Sequence, residues 1–150
     1  MNLPQIIGAS VLAVLLLIFA LRQFMQHLRA RGRAQIEGRY PASEVLLSET
    51  LAQSFGQQSK GRTQLRGSGA LVLTGTELCF WMYVPARELR IPLQSVVAAS
   101  LVGSHLGKTQ GTPLLHVRFG SGAVEDSIAW RVPDPGAWKT KIDALLPFDP

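Results

Sequence analysis

The segment Gly103-Ser104-His105-Leu106-Gly107-Lys108-Thr109 comes nearest to a known chemistry. A phosphate-binding loop places G-x-x-x-x-G-K-[ST] between a strand and a helix, so that backbone amides and the helix N-terminus cradle phosphate. Here the interval between the glycines is one residue short, since position 102 is Val, and the chain beyond leads into a strand. The spacing therefore predicts a tight hairpin loop with Lys108 exposed at its tip. His27, His105 and His116 share no spacing with one another or with Cys79 that would gather a metal ion. Glu125 and Asp126 are adjacent, and adjacent strand residues point to opposite faces, so they cannot work as a carboxylate pair. Ser127 lacks the G-x-S-x-G context of an activated nucleophile, and Cys79 reads as a small filler in an apolar strand. No nucleophile, base and oxyanion site assemble from these residues. The chain reads as non-enzymatic, with no cofactor and no metal.

The remaining reactive side chains are cationic, and their distribution matters more than their number. Of the net charge of +5, residues 22–44 supply +3 from five arginines against two glutamates. Residues 45–150 supply only +2, from ten basic and eight acidic residues. A nucleic-acid footprint would concentrate the excess on the domain itself, so nucleic acid is excluded as the expected partner. Arg22, Arg29, Arg31, Arg33 and Arg39 instead follow an apolar run. Near an anionic leaflet each would add about 1 kcal/mol of attraction and hold the following segment flat on the membrane surface.

That run sets the first element. From Leu3 to Leu21 there are 19 residues without a charge, within the roughly 17–25 that a bilayer-crossing helix needs. A secretory signal would carry a basic start, which MNLPQ lacks, and a small-residue cleavage site. A core helix would be apolar on one face only. The expected organisation is a transmembrane anchor over 1–21, a basic juxtamembrane helix end and linker over 22–44, and a domain over 45–150. The helix is expected to end at Gly32, leaving 33–44 as linker. Cationic flanks stay on the cytoplasmic side, which predicts a plasma-membrane protein with its N-terminus outside and its domain in the cytoplasm. The single cysteine fits a reducing compartment.

From Val45 onward the apolar period becomes two. ELCFWMYV puts Leu78, Phe80, Met82 and Val84 on one face, and GALVLT precedes it across Thr74-Gly75-Thr76, a hairpin signal. ELRIPLQSV turns Leu89, Ile91 and Leu93 inward, and Pro92 assigns that strand to an edge or bulge. SVVAASLV, PLLHVRF and EDSIAWRV read as further strands, GRTQLRG as a shorter one, and VLLSETLAQSFG as strand or helix. About seven strands result, spaced as in an antiparallel sandwich or barrel. In VPDPGAWKTKIDALL, Asp134 suits a helix N-cap and Pro135 the first helical position. Trp138, Ile142 and Leu145 then form one apolar stripe.

Seven antiparallel strands closed by one C-terminal helix with an inward Trp resemble the pleckstrin-homology-like fold, in its bacterial and GRAM-type branches. Gly69, Thr74, Leu78, Phe80, Ile91, Pro92 and Leu93 carry the resemblance. It implies a mainly β domain behind the anchor that binds phosphoinositide-type headgroups or docks proteins. Lys60, Arg62 and Arg66 lie near the place of the family's basic residues, with Arg62 and Arg66 on one face of the GRTQLRG strand, and Lys108 is a further candidate. The expected role is a membrane-anchored adaptor for a membrane-protein partner or an anionic lipid. The alternative is an accessory subunit that contacts its complex through the transmembrane helix.

Overall fold

The computed structural model describes residues 2–147 apart from 62, 63 and 65, and nothing is assigned to the side chains of Gln110 and Ser121. The chain opens on one helix, α1 (Leu3–Arg39), of 37 residues, with Pro in its first turn and Gln5 folding back to the Asn2 amide at 3.1 Å. Its apolar half is long enough to cross a membrane, and none of it is buried in the protein. Leucine, isoleucine and phenylalanine side chains from Ile6 to Leu21 face outward on every side.

The helix does not stop at Gly32, and the stretch 33–44 is not all linker. Only Pro41–Glu44 separates the C-cap, Tyr40, from the next element. Gly32 serves close approach rather than termination. A Cβ there would lie 2.1 Å from the Tyr83 hydroxyl, so only glycine lets this turn of the helix touch the sheet.

Among the described residues seven strands follow, β1 (Val45–Gln57), β2 (Gly67–Thr74), β3 (Glu77–Met82), β4 (Arg87–Pro92), β5 (Val96–His105), β6 (Lys108–Ser121) and β7 (Val124–Arg131). All pair antiparallel, in one open sheet of order β4-β3-β2-β1-β7-β6-β5. VLLSETLAQSFG is thus strand, and Pro92 does lie on an edge. Of GRTQLRG, expected as a shorter strand, Gly61, Gln64 and Arg66 are irregular and Gly67 opens β2, while 62, 63 and 65 lie outside the described residues. The β2–β3 turn is held by the Thr74 hydroxyl, which accepts from the Thr76 and Glu77 amides at 3.3 and 3.2 Å.

Phe80 on β3 and Trp130 on β7 are three strand positions apart in the sheet order, about 14 Å in a flat sheet, yet their rings lie 5.8 Å apart. The sheet must therefore bend over its core, and register shifts along β1 after Val45, Glu49 and Ser54 supply the bends. Inside lie Leu71, Leu78, Ile91, Leu115, Val117 and Trp130. The closing helix, α2 (Pro135–Leu145), adds Trp138 and Ile142, with Leu145 against them. Asp134 caps it, accepting from the Ala137 amide at 3.0 Å.

The outer face of the sheet is covered twice. The last turns of α1 bury Ile36 and Tyr40 against Ala70, Val72, Cys79, Trp81 and Tyr83. Farther along, the β5–β6 hairpin folds back over Phe55, Leu114 and Ala129. Its turn is two residues, Leu106 and Gly107, both at positive φ, the geometry that suits hairpin twist.

Candidate functional site

Strand direction decides which end of the domain approaches the apolar half of α1. Tyr40, at the helix end, donates from its hydroxyl to Glu77 at the start of β3. About two turns earlier, Gly32 meets Tyr83, just past the end of β3. β3 therefore runs back along α1 toward the apolar run. Gly67, the first residue of β2, lies against Met82 and pairs with Ser54. The 58–66 connection thus opens at the end of the domain nearest the apolar run.

The basic residues expected there have unequal freedom. Lys60 ends a 3-10 turn (Gln58–Lys60), is exposed, and lines with Gln64 and Arg87 a cavity of about 80 Å³. Arg66 stacks 4.5 Å above the Phe55 ring and donates to the Thr109 carbonyl at 3.2 Å. Lys108 is not exposed at the hairpin tip. It is half-buried, and its ammonium donates to the Gln64 carbonyl and, at 3.4 Å, to that of Phe55. Arg66 and Lys108 are thus brought together around Phe55, with donors engaged inside the chain. Arg62 lies outside the described residues.

The arginines that follow the apolar run are spread along one continuous helix. At about 1.5 Å per residue, Arg22 and Arg29 stand about 2 and 12 Å beyond Leu21, Arg31 and Arg33 about 15 and 18 Å, and Arg39 about 27 Å. Attraction to a leaflet decays over a Debye length of about 8 Å. If Leu21 marks the edge of a bilayer, Arg22 and Arg29 are the ones within reach of its surface. Arg31 lies 5.7 Å over Tyr83, and Arg39 pairs with Glu88 and stacks 5.3 Å over Trp81. Arg33 is exposed beside a groove shared with Ile36 and Tyr40. α1 carries these three past the domain rather than lying flat.

Several of the side chains weighed for chemistry have partners within the fold. Asp126 ties down the turn after β1, accepting from the Ser59 amide at 2.9 Å, the Ser59 hydroxyl at 2.7 Å and the Gln57 amide group. Burial alone would raise its pKa, but these hydrogen bonds prevail and hold the carboxyl below its usual range. Glu125 points elsewhere, to Arg118 at 3.5 Å. Cys79 is buried beneath α1, and burial pushes its thiol up to about 12, so it is not a thiolate nucleophile at neutral pH.

His105 and His116, with no shared spacing in sequence, stand 5.2 Å apart because the hairpin curls over the sheet. His105 donates from Nε2 to the Gly56 carbonyl at 2.9 Å, and His116 Nδ1 lies 3.4 Å from the Ser100 hydroxyl. Burial lowers both pKa values, opposed at His105 by the Gly56 bond and reinforced by Lys108, and reinforced at His116 by His105 and Arg118. The pair is thus neutral at neutral pH. His27 is exposed on α1. Among the described residues no three His, Cys, Asp or Glu side chains gather as a metal site would require.

A clamp missed in the sequence joins helix to sheet. Arg90 grips Glu77 through two bonds of 3.0 and 3.1 Å, and Glu77 also accepts from Tyr40. Burial opposes ionisation of Glu77, but Arg90 and Tyr40 hold its pKa below the usual value. The signal was present in ELCFWMYV, which is apolar on both faces and therefore needs cover on both. Comparison with protein-family models gives no match, and comparison with curated proteins gives no relative.

Proposed function

We propose that this chain is a single-pass, membrane-anchored docking module of pleckstrin-homology-like fold. In this reading it is non-enzymatic, its N-terminus lies outside the plasma membrane, and its domain meets a membrane-protein partner on the cytoplasmic side. The observation that carries the reading is the continuity of α1, which leaves the apolar run and enters the packing of the domain as one helix. A flexible tether raises effective concentration. A rigid one also sets height and rotation, which suits a surface that must meet a partner in the same membrane. The strand order and the closing helix support the fold assignment.

The two sheet edges suggest where a partner would bind. β4 carries Arg87, Glu88, Arg90 and Pro92, residues that discourage strand addition. β5 has no charged residue and no proline from Val96 to Ser104, and Val97 and Leu101 are exposed along it. An extended segment of a partner can add to such an edge.

Headgroup binding at Lys60, Arg62, Arg66 and Lys108 is the second reading, favoured by the orientation of that end toward the apolar run. It ranks lower because Arg66 and Lys108 already donate to main-chain carbonyls. Affinity capture from solubilised membranes tests the first reading. A co-purifying protein should be lost with Leu101→Lys and kept when the apolar run is replaced by an unrelated membrane helix of equal length. The reverse pattern would instead identify an accessory subunit that makes contact through its helix.

A further inference from the structure

We infer that the cleft between α1 and the membrane-facing end of the sheet holds the headgroup of one ethanolamine phospholipid. The cleft has a volume of about 630 Å³ and is walled by Met25 and Arg29 on α1, Glu49 on β1 and Arg131 at the end of β7. Arg29 and Arg131 are both exposed, and no partner for either is found among the described residues. Glu49 uses Oε1 to accept from the Leu51 amide at 3.0 Å, which leaves its other oxygen for a second donor.

Three observations converge on this occupant. The first is height, because α1 continues from the apolar run without a break. Met25 and Arg29 stand about 6 and 12 Å beyond Leu21, near the headgroup layer, which adds about 5–8 Å to each side of the hydrocarbon. Helical side chains lean toward the N-terminus, so Arg29 reaches back toward the bilayer. The second is continuity: Ile18, Leu21, Arg22 and Met25 form a shallow groove that shares Met25 and Arg29 with the cleft. An acyl chain can follow that stripe while its headgroup turns into the cleft. The third is charge, since the walls carry two guanidinium groups and one carboxylate. Arg29 and Arg131 match a phosphodiester, and Glu49 matches an ammonium that can donate hydrogen bonds. Phosphatidylcholine offers no such donor, and phosphatidylglycerol offers no cation.

This inference rests on reading α1 as a membrane span, and the experiment separates the two. Full-length protein is reconstituted into nanodiscs of equal parts phosphatidylethanolamine, phosphatidylglycerol and phosphatidylcholine, and retained lipid is counted by native mass spectrometry. The expected result is one phosphatidylethanolamine per chain. Arg29→Gln/Arg131→Gln should weaken its retention about a hundredfold, as befits the loss of two charge-assisted bonds. Glu49→Gln should keep a bound lipid but erase the preference over phosphatidylcholine. Lys141→Gln, exposed on α2 and outside the cleft, should change neither. Retention unaffected by the Arg29/Arg131 change, or phosphatidylglycerol retained above phosphatidylethanolamine, would overturn the cleft assignment. A chain that enters nanodiscs yet keeps no lipid sinks the cleft alone. A chain that stays in solution without entering them sinks the anchor as well.

Discussion

At the scale of single residues, glycine and histidine carry the sharpest consequences. Gly32 is where the helix touches the sheet, and Gly38, six residues on, has open space around it. Gly32→Val should destabilise the folded protein by about 1–3 kcal/mol, the usual cost of overpacking. Gly38→Ala should stabilise it by about 0.5–1 kcal/mol through helix propensity. Thermal melts of both variants check the contrast. The His105–His116 pair makes a prediction in pH. Both groups titrate below their ordinary value when folded, so in the window below about 6.5 the unfolded chain binds more protons. The stability contributed by the neutral pair is therefore full above that value and lost as pH falls. Lys108, Arg118 and Asp126 also act on these rings and should be left in place. Lowering the pH from about 7.5 to about 5.5 should lower the melting temperature, and His105→Gln/His116→Gln should flatten that slope. Neither the pairing nor the role of Gly32 was legible beforehand. The histidines are eleven residues apart in sequence, and only the curl of a hairpin brings such positions together.

At the scale of elements, the boundary between anchor and domain moves. A domain cut at Val45 looks complete as a strand pattern, but that cut removes Ile36 and Tyr40 and uncovers Ala70, Val72, Trp81 and Tyr83. Each large side chain lost from a buried site forfeits about 1.5–3 kcal/mol. A fragment starting at Val45 should therefore melt roughly 10 °C or more below one starting at Gln26, or associate through the exposed face. Size-exclusion chromatography and calorimetry on the two fragments check this. Equal melting temperatures would mean that α1 merely rests on the sheet. α2 contrasts with this, because its start, cap and apolar stripe were all readable from Asp134, Pro135, Trp138 and Ile142. Those signals are local. Local pattern does not place the end of α1, because a glycine inside a helix carries two meanings, and the meaning here depends on Tyr83, some fifty residues away.

At the scale of the whole molecule, the proposed topology is testable with one added cysteine. Cys79 is buried and its thiol is pushed up to about 12, so the native protein should give little background with thiol reagents. Thr140, exposed on α2, is a suitable reporter position. In intact cells a membrane-impermeant maleimide should leave Thr140→Cys unlabelled until the membrane is permeabilised. Labelling without permeabilisation would place the domain outside.

By itself the sequence determined the long apolar helix, the antiparallel strands that follow it and the amphipathic helix at the end. Each of these is written in the spacing of nearby residues, where periods of 3.6 and 2 record which face meets water. Cys79 and Trp81 make β3 apolar on its second face too, but that pattern does not say what covers it. Only the tertiary structure decided that. The same amphipathic-looking turns, Arg29 to Arg39, could have lain on a membrane or against a sheet. The choice fell to contacts that local pattern does not encode: the space at Gly32, the Arg90–Glu77–Tyr40 clamp, and Arg39 between Glu88 and Trp81. The basic residues follow the same rule. Their charge is fixed by type, but whether a charge is free for a ligand depends on which carbonyls lie within reach. Chain folding brought such carbonyls to Arg66 and Lys108, and left Arg29 and Arg131 facing an open cleft.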